Sequence, residues 1–223
     1  ERAVFLPDAD ALVLADLHVG RADASAVAFP LGEATDLAER LRAYCVEFAP
    51  REVVFAGDVL HRFDRVSERH VAALDTLAAT CDDAGSDPVF VAGNHDTMLD
   101  EVRSGDVHDE YRLADGTLVC HGHRDPDPDA DRYVVGHDHP TLAVEGRRRP
   151  CVLYGPDAYR GGDVLMLPAF TRLAAGVEVN EMRTADFDSP LVRDAGRFRP
   201  LVRDEDAGET LTFPPLGKLR RLL

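Results

Sequence analysis

Five short blocks of aspartate, asparagine and histidine are the parts of this chain that could carry out chemistry. Four specified residues in a row, as in the third block, occur by chance in roughly one chain of this length per thousand. One block is a hint, but five of one kind are a much stronger signal. The blocks are Asp16-x-His18, Gly57-Asp58-x-x-His61, Gly93-Asn94-His95-Asp96, His121-Gly122-His123 and Gly136-His137-x-His139.

These blocks supply side chains that bind metal ions through oxygen and imidazole nitrogen, without thiolate sulfur. Seven ligands are too many for one tetrahedral zinc ion and match two ions that share a carboxylate. This donor set suits Mn²⁺, Fe or Zn²⁺ better than copper or an iron–sulfur cluster. Two ions about 3.5–4 Å apart clamp a phosphate ester and lower the pKa of a bound water molecule. The predicted ligands are Asp16, His18, Asp58, Asn94, His121, His137 and His139.

His95 and Asp96 are the candidate catalytic residues. His95 follows a predicted metal ligand on a loop, and the neighbouring carboxylate of Asp96 is expected to fix the tautomer of its imidazole. Arg21 is a candidate phosphate contact because its loop joins the edge that carries Asp16 and His18.

The first three blocks each follow an apolar run that is typical of a buried strand, at residues 11–15, 53–56 and 88–92. Apolar residues at helical spacing predict helices between these strands, over residues 31–48 and 67–84. The alternation of strands and helices predicts a parallel sheet with right-handed crossovers. The three blocks then lie at one edge of that sheet, where open α/β folds place their sites.

After residue 97 the pattern changes to short strands without obvious helices between them. A second, mostly antiparallel sheet that packs on the first is therefore predicted. No linker is visible, so residues 1–223 are expected to form one domain. Its motif-bearing region is 11–140, and residues 141–223 supply further strands and a tail that ends in basic residues.

The charge balance is strongly acidic, with 41 acidic and 25 basic residues and a net charge of −16. Lys218 is the only lysine. An acid-rich, lysine-poor composition is typical of a protein from a halophilic source. In molar salt the screening length is about 3 Å, so this net charge does not exclude a polyanionic partner such as DNA.

Four cysteines, Cys45, Cys81, Cys120 and Cys151, are scattered and favour small apolar roles in a reducing compartment. No apolar run approaches the roughly 18 residues of a membrane span, and no signal peptide is visible. We expect a cytoplasmic protein without a membrane partner. Its oligomeric state is left open, with a dimer among the alternatives.

The series of blocks resembles the motifs of the calcineurin-like metallophosphoesterases, with all five in family order over residues 11–140. Within that family, residues 15–21, 57–61 and 167–170 look most like small archaeal and bacterial phosphoesterases related to DNA-repair nucleases, including the ligase-associated endonuclease type. The resemblance implies an α/β fold in which two packed mixed β-sheets are flanked by helices, a four-layer αββα sandwich.

The same resemblance implies roles for the candidate residues. One metal ion would be held by Asp16, His18 and His139, and the other by Asn94, His121 and His137, with Asp58 bridging the two. His95 would contact the substrate as a general acid or transition-state stabiliser. His61 matches the repair-nuclease variant and would touch substrate or a ligand.

These observations favour a two-metal enzyme that hydrolyses phosphodiesters by attack of a metal-bridging hydroxide, with Mn²⁺ as the first choice of metal and DNA as one candidate substrate. The alternatives are a phosphodiesterase of cyclic nucleotides or other small nucleotides, and a non-catalytic scaffold on the same fold. The scaffold reading is disfavoured because such relatives typically lose metal ligands, and this chain keeps all seven.

Three features receive structural interpretations. His70, inside the second predicted helix, is expected to be solvated. His123 is expected to support the neighbouring His121 and not to bind metal. The arginines at residues 147–149 could steer a polyanion, but three arginines in a hairpin turn are more often solvated, and that is the interpretation we favour.

Overall fold

The computed structural model of the protein describes residues 2–24, 32–62, 65–103, 105–205 and 207–221. Its first sheet has the strand order β1-β2-β3-β4-β5. The neighbours from β2 to β5 pair in parallel, and β1 is antiparallel to β2. The strands are β1 (Ala3–Leu6), β2 (Ala11–Leu14), β3 (Glu52–Ala56), β4 (Asp87–Val91) and β5 (Val107–His108).

Two long helices cover the outer face of this sheet and confirm the predicted helical segments. They are α2 (Glu33–Phe48) and α3 (Glu68–Asp83); α1 (Arg21–Ala24) and α4 (Leu99–Val102) are single turns. Residue 31, the predicted start of the first long helix, lies outside the described residues. Ser67 caps α3 and Ala84 ends it, which agrees with the predicted limits.

A second sheet follows, in the order β15-β14-β11-β12-β8-β7-β6, and four of its six pairings are antiparallel as predicted. A small sheet with the order β10-β9-β13 lies beside it. The strands are β6 (Glu110–Arg112), β7 (Leu118–Cys120), β8 (Arg132–Val135), β9 (Pro140–Val144), β10 (Arg147–Pro150), β11 (Val152–Tyr159), β12 (Gly162–Met166), β13 (Val177–Glu178), β14 (Arg199–Asp204) and β15 (Glu209–Thr212).

Alternation along β2 shows how the layers are built. Leu12 and Leu14 point outwards into the core beneath α2 and α3. Val13 points the other way and packs against Val119 and Val134 of the second sheet. Because successive strand residues face opposite sides, one short apolar strand serves both cores. The four-layer α/β fold implied by the sequence is therefore confirmed.

The outer layer over the second sheet is thinner than the layer of long helices on the first. It consists of 3₁₀ turns, irregular segments and the one-turn helix α5 (Leu216–Leu219). Phe187, Leu191 and Phe198 of these segments are buried in a third core with strand residues such as Tyr133. The four cysteines are buried and free. No described helix is long and apolar enough to cross a bilayer.

Candidate metal centre

The five polar blocks lie where strands β2, β3, β4, β7 and β8 end. Backbone hydrogen bonds hold these ends together after the strands stop. The N–H of Asp16 donates to the carbonyl of Gly57 at 3.0 Å, and the N–H of His18 donates to that of Asp58 at 2.9 Å. In the second sheet, the N–H of Gly136 donates to the carbonyl of His121 at 3.0 Å. The main chain therefore brings blocks that are distant in sequence to one edge.

A first group of donors contains Asp16, His18 and His139, whose ligand atoms converge closely enough to hold one ion. Nε2 of His139 lies 3.1 Å from Oδ1 of Asp16 and 3.3 Å from Nε2 of His18. Two donors at about 2.1 Å from one ion are about 3 Å apart when they meet at a right angle. The observed separations fit that geometry.

A second group is centred on His121, which is fully buried. Its Nε2 lies 3.3 Å from Oδ1 of Asp58 and 3.1 Å from the amide oxygen of Asn94. Its Nδ1 lies 3.9 Å from Oδ1 of Asp16. The ring of His137 contacts that of His121 edge-on, with centroids 5.0 Å apart, so it lies beside this group.

Asp58 lies between the two groups. Its Oδ1 faces His121, while its Oδ2 is 3.9 Å from Nε2 of His18 and 3.8 Å from Nε2 of His95. Burial raises the pKa of the Asp58 carboxyl, and the N–H of His95, which donates to Oδ1 at 3.0 Å, opposes that rise. A buried carboxylate facing imidazoles on both sides is well placed to be shared by two cations.

The donor atoms fit bound metal ions by a second criterion. Oδ1 of Asp16 belongs to a side chain that solvent does not reach, and it lies 3.1 Å from Nε2 of His139 without the geometry of a hydrogen bond. A buried carboxylate oxygen without a donor costs several kcal/mol unless a cation satisfies it. The other oxygen, Oδ2, accepts the N–H of His137 at 3.0 Å, which aims Oδ1 at the imidazoles.

Backbone strain marks the same residues. Ten described non-glycine residues have a positive φ, and five of these are predicted ligands. Asp and His tolerate the left-handed region better than most residues, but it still costs of order 1 kcal/mol or more each. Such strain concentrates at functional sites. The five are Asp16 (φ 57°), His18 (49°), Asp58 (47°), His137 (78°) and His139 (47°).

Gly57 is required by both its conformation and its neighbours. Its φ is +83°, and a Cβ added there would collide with the ring of His121. We predict that Gly57→Ala lowers stability by about 1–3 kcal/mol through backbone strain and weakens metal binding by roughly 10–100-fold by displacing His121. Thermal unfolding and calorimetric Mn²⁺ titration measure the two effects.

Gly116→Ala is the matched control for this prediction. Gly116 has a φ of +87°, but a Cβ there would meet open space. The control should lose similar stability and keep its metal affinity. Equal metal affinity in the two variants would contradict the placement of His121 as a ligand.

Two of the imidazoles are held neutral by burial. Desolvation lowers the pKa of His18 to about 2, with the charge of His139 adding to the effect. Desolvation also lowers the pKa of His121 to about 4, although the carboxylate of Asp16 opposes it. A neutral imidazole has a free lone pair, so both rings can bind a metal at neutral pH without first losing a proton.

We therefore predict that the ring resonances of His18 and His121 in the metal-free protein do not titrate between pH 8 and about 5. A free histidine changes with a midpoint near 6.5. Since only the unfolded chain takes up these two protons, both groups lower stability as pH falls below about 6.5. NMR of histidine-labelled protein tests this, and a midpoint near 6.5 for either ring would contradict it.

His95 has a different orienting partner from the one predicted. Its Nδ1 lies 2.9 Å from the carbonyl oxygen of His61. Asp96 instead uses both carboxylate oxygens for backbone N–H groups, those of Gly93 at 2.8 Å, Leu60 at 2.8 Å and Val59 at 3.1 Å. The expectation that Asp96 orients the imidazole is corrected: it fastens the Asp58 loop to the Asn94 loop.

The two candidate substrate contacts lie at the edge of the centre. The rings of His61 and His95 are nearly parallel, with centroids 6.2 Å apart, and His61 meets His18 edge-on at 5.4 Å. Arg21 donates from Nε to the carbonyl of Leu173 at 3.3 Å. Its charge is close enough to contribute to the low pKa of His18. Both side chains are thus near the donor groups without belonging to them.

Sequence reasoning missed three supporting residues. The buried carboxylate of Asp138 accepts the N–H groups of residues 188 and 189 at 2.8 and 3.2 Å, which ties the C-terminal segment to the histidine loop. Glu33 accepts three N–H groups from residues 20–22. His70 was expected to be solvated, but it is buried against Gly20, and its Nδ1 accepts the N–H of Ser67.

His123 lies beside the centre as expected, with its ring 5.3 Å from that of His121 and 6.2 Å from that of His137. It belongs to none of the convergent donor groups found among the described residues. The Asp-x-His, Gly-His-x-His and related signals could find the donors because they mark strand ends. The supporting residues carry no comparable local signal.

Comparison with known proteins places this geometry in a family. The calcineurin-like phosphoesterase family model matches residues 10–166, which contain all five blocks. Among solved structures, the chain is similar to nuclease MPE from Pseudomonas putida, with 25% sequence identity and a TM-score of 0.59 over 95% of this chain and 92% of that one. It is also similar to YfcE, a phosphoesterase from E. coli, with 12% identity and a TM-score of 0.45 over 92% and 98% of the two chains. No curated protein matches it. Because the family match covers well over half of its length, this chain belongs to the calcineurin-like phosphoesterase family.

Proposed function

We propose that this protein is a two-metal phosphodiesterase and that Mn²⁺ is its preferred metal, with Fe or Zn²⁺ as alternatives. The observation that carries the proposal is the position of Asp58, whose two oxygens face His121 on one side and His18 on the other. Family membership supports a metal-dependent hydrolase. A donor set of carboxylates, imidazoles and one amide suits these cations.

When bound, the two cations would supply Lewis acidity for a phosphate ester and for a water molecule. The chain would hold one of them with Asp16, His18 and His139. It would hold the other with Asn94, His121 and His137, and Asp58 would serve both. Asp16, His18, Asp58 and His121 are buried, which keeps the electrostatic interactions of these four donors strong, whereas Asn94, His137 and His139 lie on the accessible side of the centre.

His95 is the proposed general acid. If the ring is protonated, Nδ1–H donates to the carbonyl of His61, and the remaining N–H at Nε2 points to the side of Asp58 that faces the donor groups. An N–H in that position can stabilise charge on a phosphate oxygen or give a proton to the departing alcohol. Arg21 donates Nε to the carbonyl of Leu173 at the rim, and its remaining donors would contact a second phosphate oxygen.

DNA is the substrate class that we favour. The similar solved structure from Pseudomonas putida is a nuclease, and the likeness covers nearly all of both chains. Cyclic nucleotides are the small-molecule alternative, because a two-metal centre of this kind cleaves the same bond in either setting.

A metal-reconstituted substrate panel tests the proposal. Four substrates would be assayed with Mn²⁺, once in KCl at about 0.1 M and once in KCl at about 1 M. They are bis(p-nitrophenyl) phosphate, p-nitrophenyl phosphate, a single-stranded oligonucleotide and a cyclic nucleotide. We expect Mn²⁺-dependent hydrolysis of the diesters, with the oligonucleotide preferred to the cyclic nucleotide. Turnover of the monoester alone would contradict the phosphodiester assignment, and a preference for the cyclic nucleotide would contradict the DNA assignment.

A further inference from the structure

A strongly basic groove of about 830 Å³ lies outside the metal centre. Its walls come from distant parts of the chain: residues 147–149 on β10, Arg203 on β14, Arg40 on α2, and the irregular segments that carry Arg2 and Arg172. Among the described residues, its lining has seven arginines and one glutamate. We call this feature the arginine groove.

Such a cluster is unexpected on a chain with a net charge of −16. Burial lowers the pKa of Arg2, and the charges of Arg40 and Arg172 lower it further, so the guanidinium groups crowd one another. Asp36 accepts contacts from Arg40 and Arg172, both at 3.0 Å, and Glu178 pairs with Arg148 at 3.0 Å. These acids offset only part of the charge. Like charges held together without equal compensation favour binding of an anion.

The groove has a fixed floor and accessible sides. Arg2 donates to the carbonyls of Ala169 and Thr171 at 2.7 and 3.1 Å, and Arg40 donates to that of Phe170 at 2.8 Å. In contrast, the side chains of Arg148 and Arg172 are 56% and 62% exposed. The exposed guanidinium groups can therefore meet a ligand without unfolding their surroundings. Residues 147–149 follow the turn of the β9–β10 hairpin, and Arg147 and Arg148 are exposed, as expected; in addition, all three arginines line the groove.

One short segment connects the groove to the metal centre. The N–H of Phe170 donates to the carbonyl of Ala15 at 2.8 Å, and that of Thr171 donates to the carbonyl of Asp16 at 3.3 Å. Arg172 is the next residue and lines the groove. The carbonyl of Leu173 then accepts Nε of Arg21. Within this segment, Arg172 therefore lines the groove. Its two neighbours contact residues of the metal centre, Thr171 through Asp16 and Leu173 through Arg21.

We propose that the arginine groove binds the sugar–phosphate backbone of a nucleic-acid strand and leads that strand to the metal centre. The proposal rests on the phosphodiesterase function proposed above. Arginine presents a planar fork of donors that matches phosphate oxygens, and the groove is built of arginine alone among the basic residues. Seven arginines spread along a groove match a chain of phosphates better than a single small anion, and the segment at residues 170–173 connects this groove to the metal centre. The ligand therefore belongs to the same chemical class as the substrate.

Binding of a fluorescein-labelled single-stranded DNA of about 20 nucleotides in EDTA, followed by anisotropy, tests the groove without cleavage. The test variant is Arg147→Ala/Arg148→Ala/Arg149→Ala. The matched control is Arg51→Ala/Arg183→Ala/Arg197→Ala, which removes three exposed arginines outside the groove lining. Loss of three phosphate contacts should make the plot of the logarithm of the association constant against the logarithm of the salt concentration less steep by about 2. It should also weaken binding at 0.1 M salt by about 10–100-fold. The control should stay within about threefold of wild type.

The variant Arg147→Lys/Arg148→Lys/Arg149→Lys should recover most of the salt dependence of binding, because it restores the three positive charges. If the alanine triple does not fold, as judged by circular dichroism, Arg147→Ala is compared with Arg51→Ala, and binding should weaken about threefold in the first and less than about 1.5-fold in the second. Equal affinities of the groove variant and its control would overturn the proposal. Tighter competition by an acidic peptide than by a DNA or RNA strand would also overturn it.

Hydrolysis of bis(p-nitrophenyl) phosphate separates this proposal from the proposed function. The groove triple should cleave this small diester within twofold of the wild-type rate while its KM for the oligonucleotide rises. A wild-type protein that binds DNA through the groove but cleaves neither diester would contradict the function and support the groove. If the wild type and the groove triple cleave DNA with the same kcat/KM, the result would support the function and contradict the groove.

Discussion

Asp58→Asn is expected to lower kcat/KM for phosphodiester hydrolysis by at least about 10³-fold, which corresponds to roughly 4 kcal/mol of lost transition-state stabilisation. Asp58 is the one carboxylate among the described residues with an oxygen near His121 and another near both His18 and His95. Asparagine keeps the shape but replaces one oxygen by an N–H₂ group, which repels a cation. We expect the variant to hold fewer metal ions per chain, as measured by mass spectrometry of metals after dialysis.

Asp75→Asn is the control for this experiment, because it removes one negative charge from an exposed position on α3. It should retain wild-type metal content and turnover. An Asp58→Asn variant that is folded, binds two ions and keeps turnover within tenfold of wild type would show that the carboxylate is not shared.

His95→Ala is expected to lower kcat by about 10²–10³-fold and to leave the metal content unchanged. His95 contacts Asp58 from the exposed side, and its Nδ1 is fixed by the carbonyl of His61. If it acts as a general acid, the loss should be larger for a diester with a poor leaving group than for a p-nitrophenyl ester, because a good leaving group departs without a proton.

His108→Ala, which removes a histidine outside the donor groups, is the control and should show no such dependence. Equal losses for good and poor leaving groups would assign His95 to transition-state charge stabilisation alone. The ligand atoms of His95, His18 and Asp58 also converge closely enough to hold an ion, so loss of a metal ion in His95→Ala would make His95 a ligand and contradict its assignment as the general acid.

The fold could be largely predicted because its periodic signals are local. The limits of α3 were predicted to within one residue at each end, since Ser67 caps the helix and the apolar spacing ends near Ala84. Strands β2, β3 and β4 are short apolar runs between those helices, and their order leaves few alternatives to a parallel sheet. The small sheet of β9, β10 and β13 was not predicted as a separate unit, because the pairing of β13 with β9 joins residues that are distant in sequence.

The convergence of the donor blocks could be inferred from the rule that parallel strands end at one edge. The hydrogen-bond partners could not. A carboxylate next to His95 in sequence was a natural choice for its orienting partner, yet the turn at Gly93 directs Asp96 towards the backbone of residues 59 and 60. The left-handed conformations of Asp16 and His139 likewise depend on the packing of two sheets, which no local pattern encodes.

The arginine groove shows the same limit at a larger scale. Total charge indicates an acidic protein, and residues 147–149 considered alone indicate a solvated turn. Only folding brings them beside arginines from the N-terminus, α2 and β14. Composition therefore gives the mean charge of the surface, whereas the placement of that charge is a property of the tertiary structure.

The central claim is that two cations share one carboxylate in this centre, and anomalous scattering from a crystal grown with Mn²⁺ tests it most directly. We predict two anomalous peaks about 3.5–4 Å apart, with Asp58 between them, Asp16, His18 and His139 around one, and Asn94, His121 and His137 around the other. A single peak, or two peaks that do not share Asp58, would contradict the account.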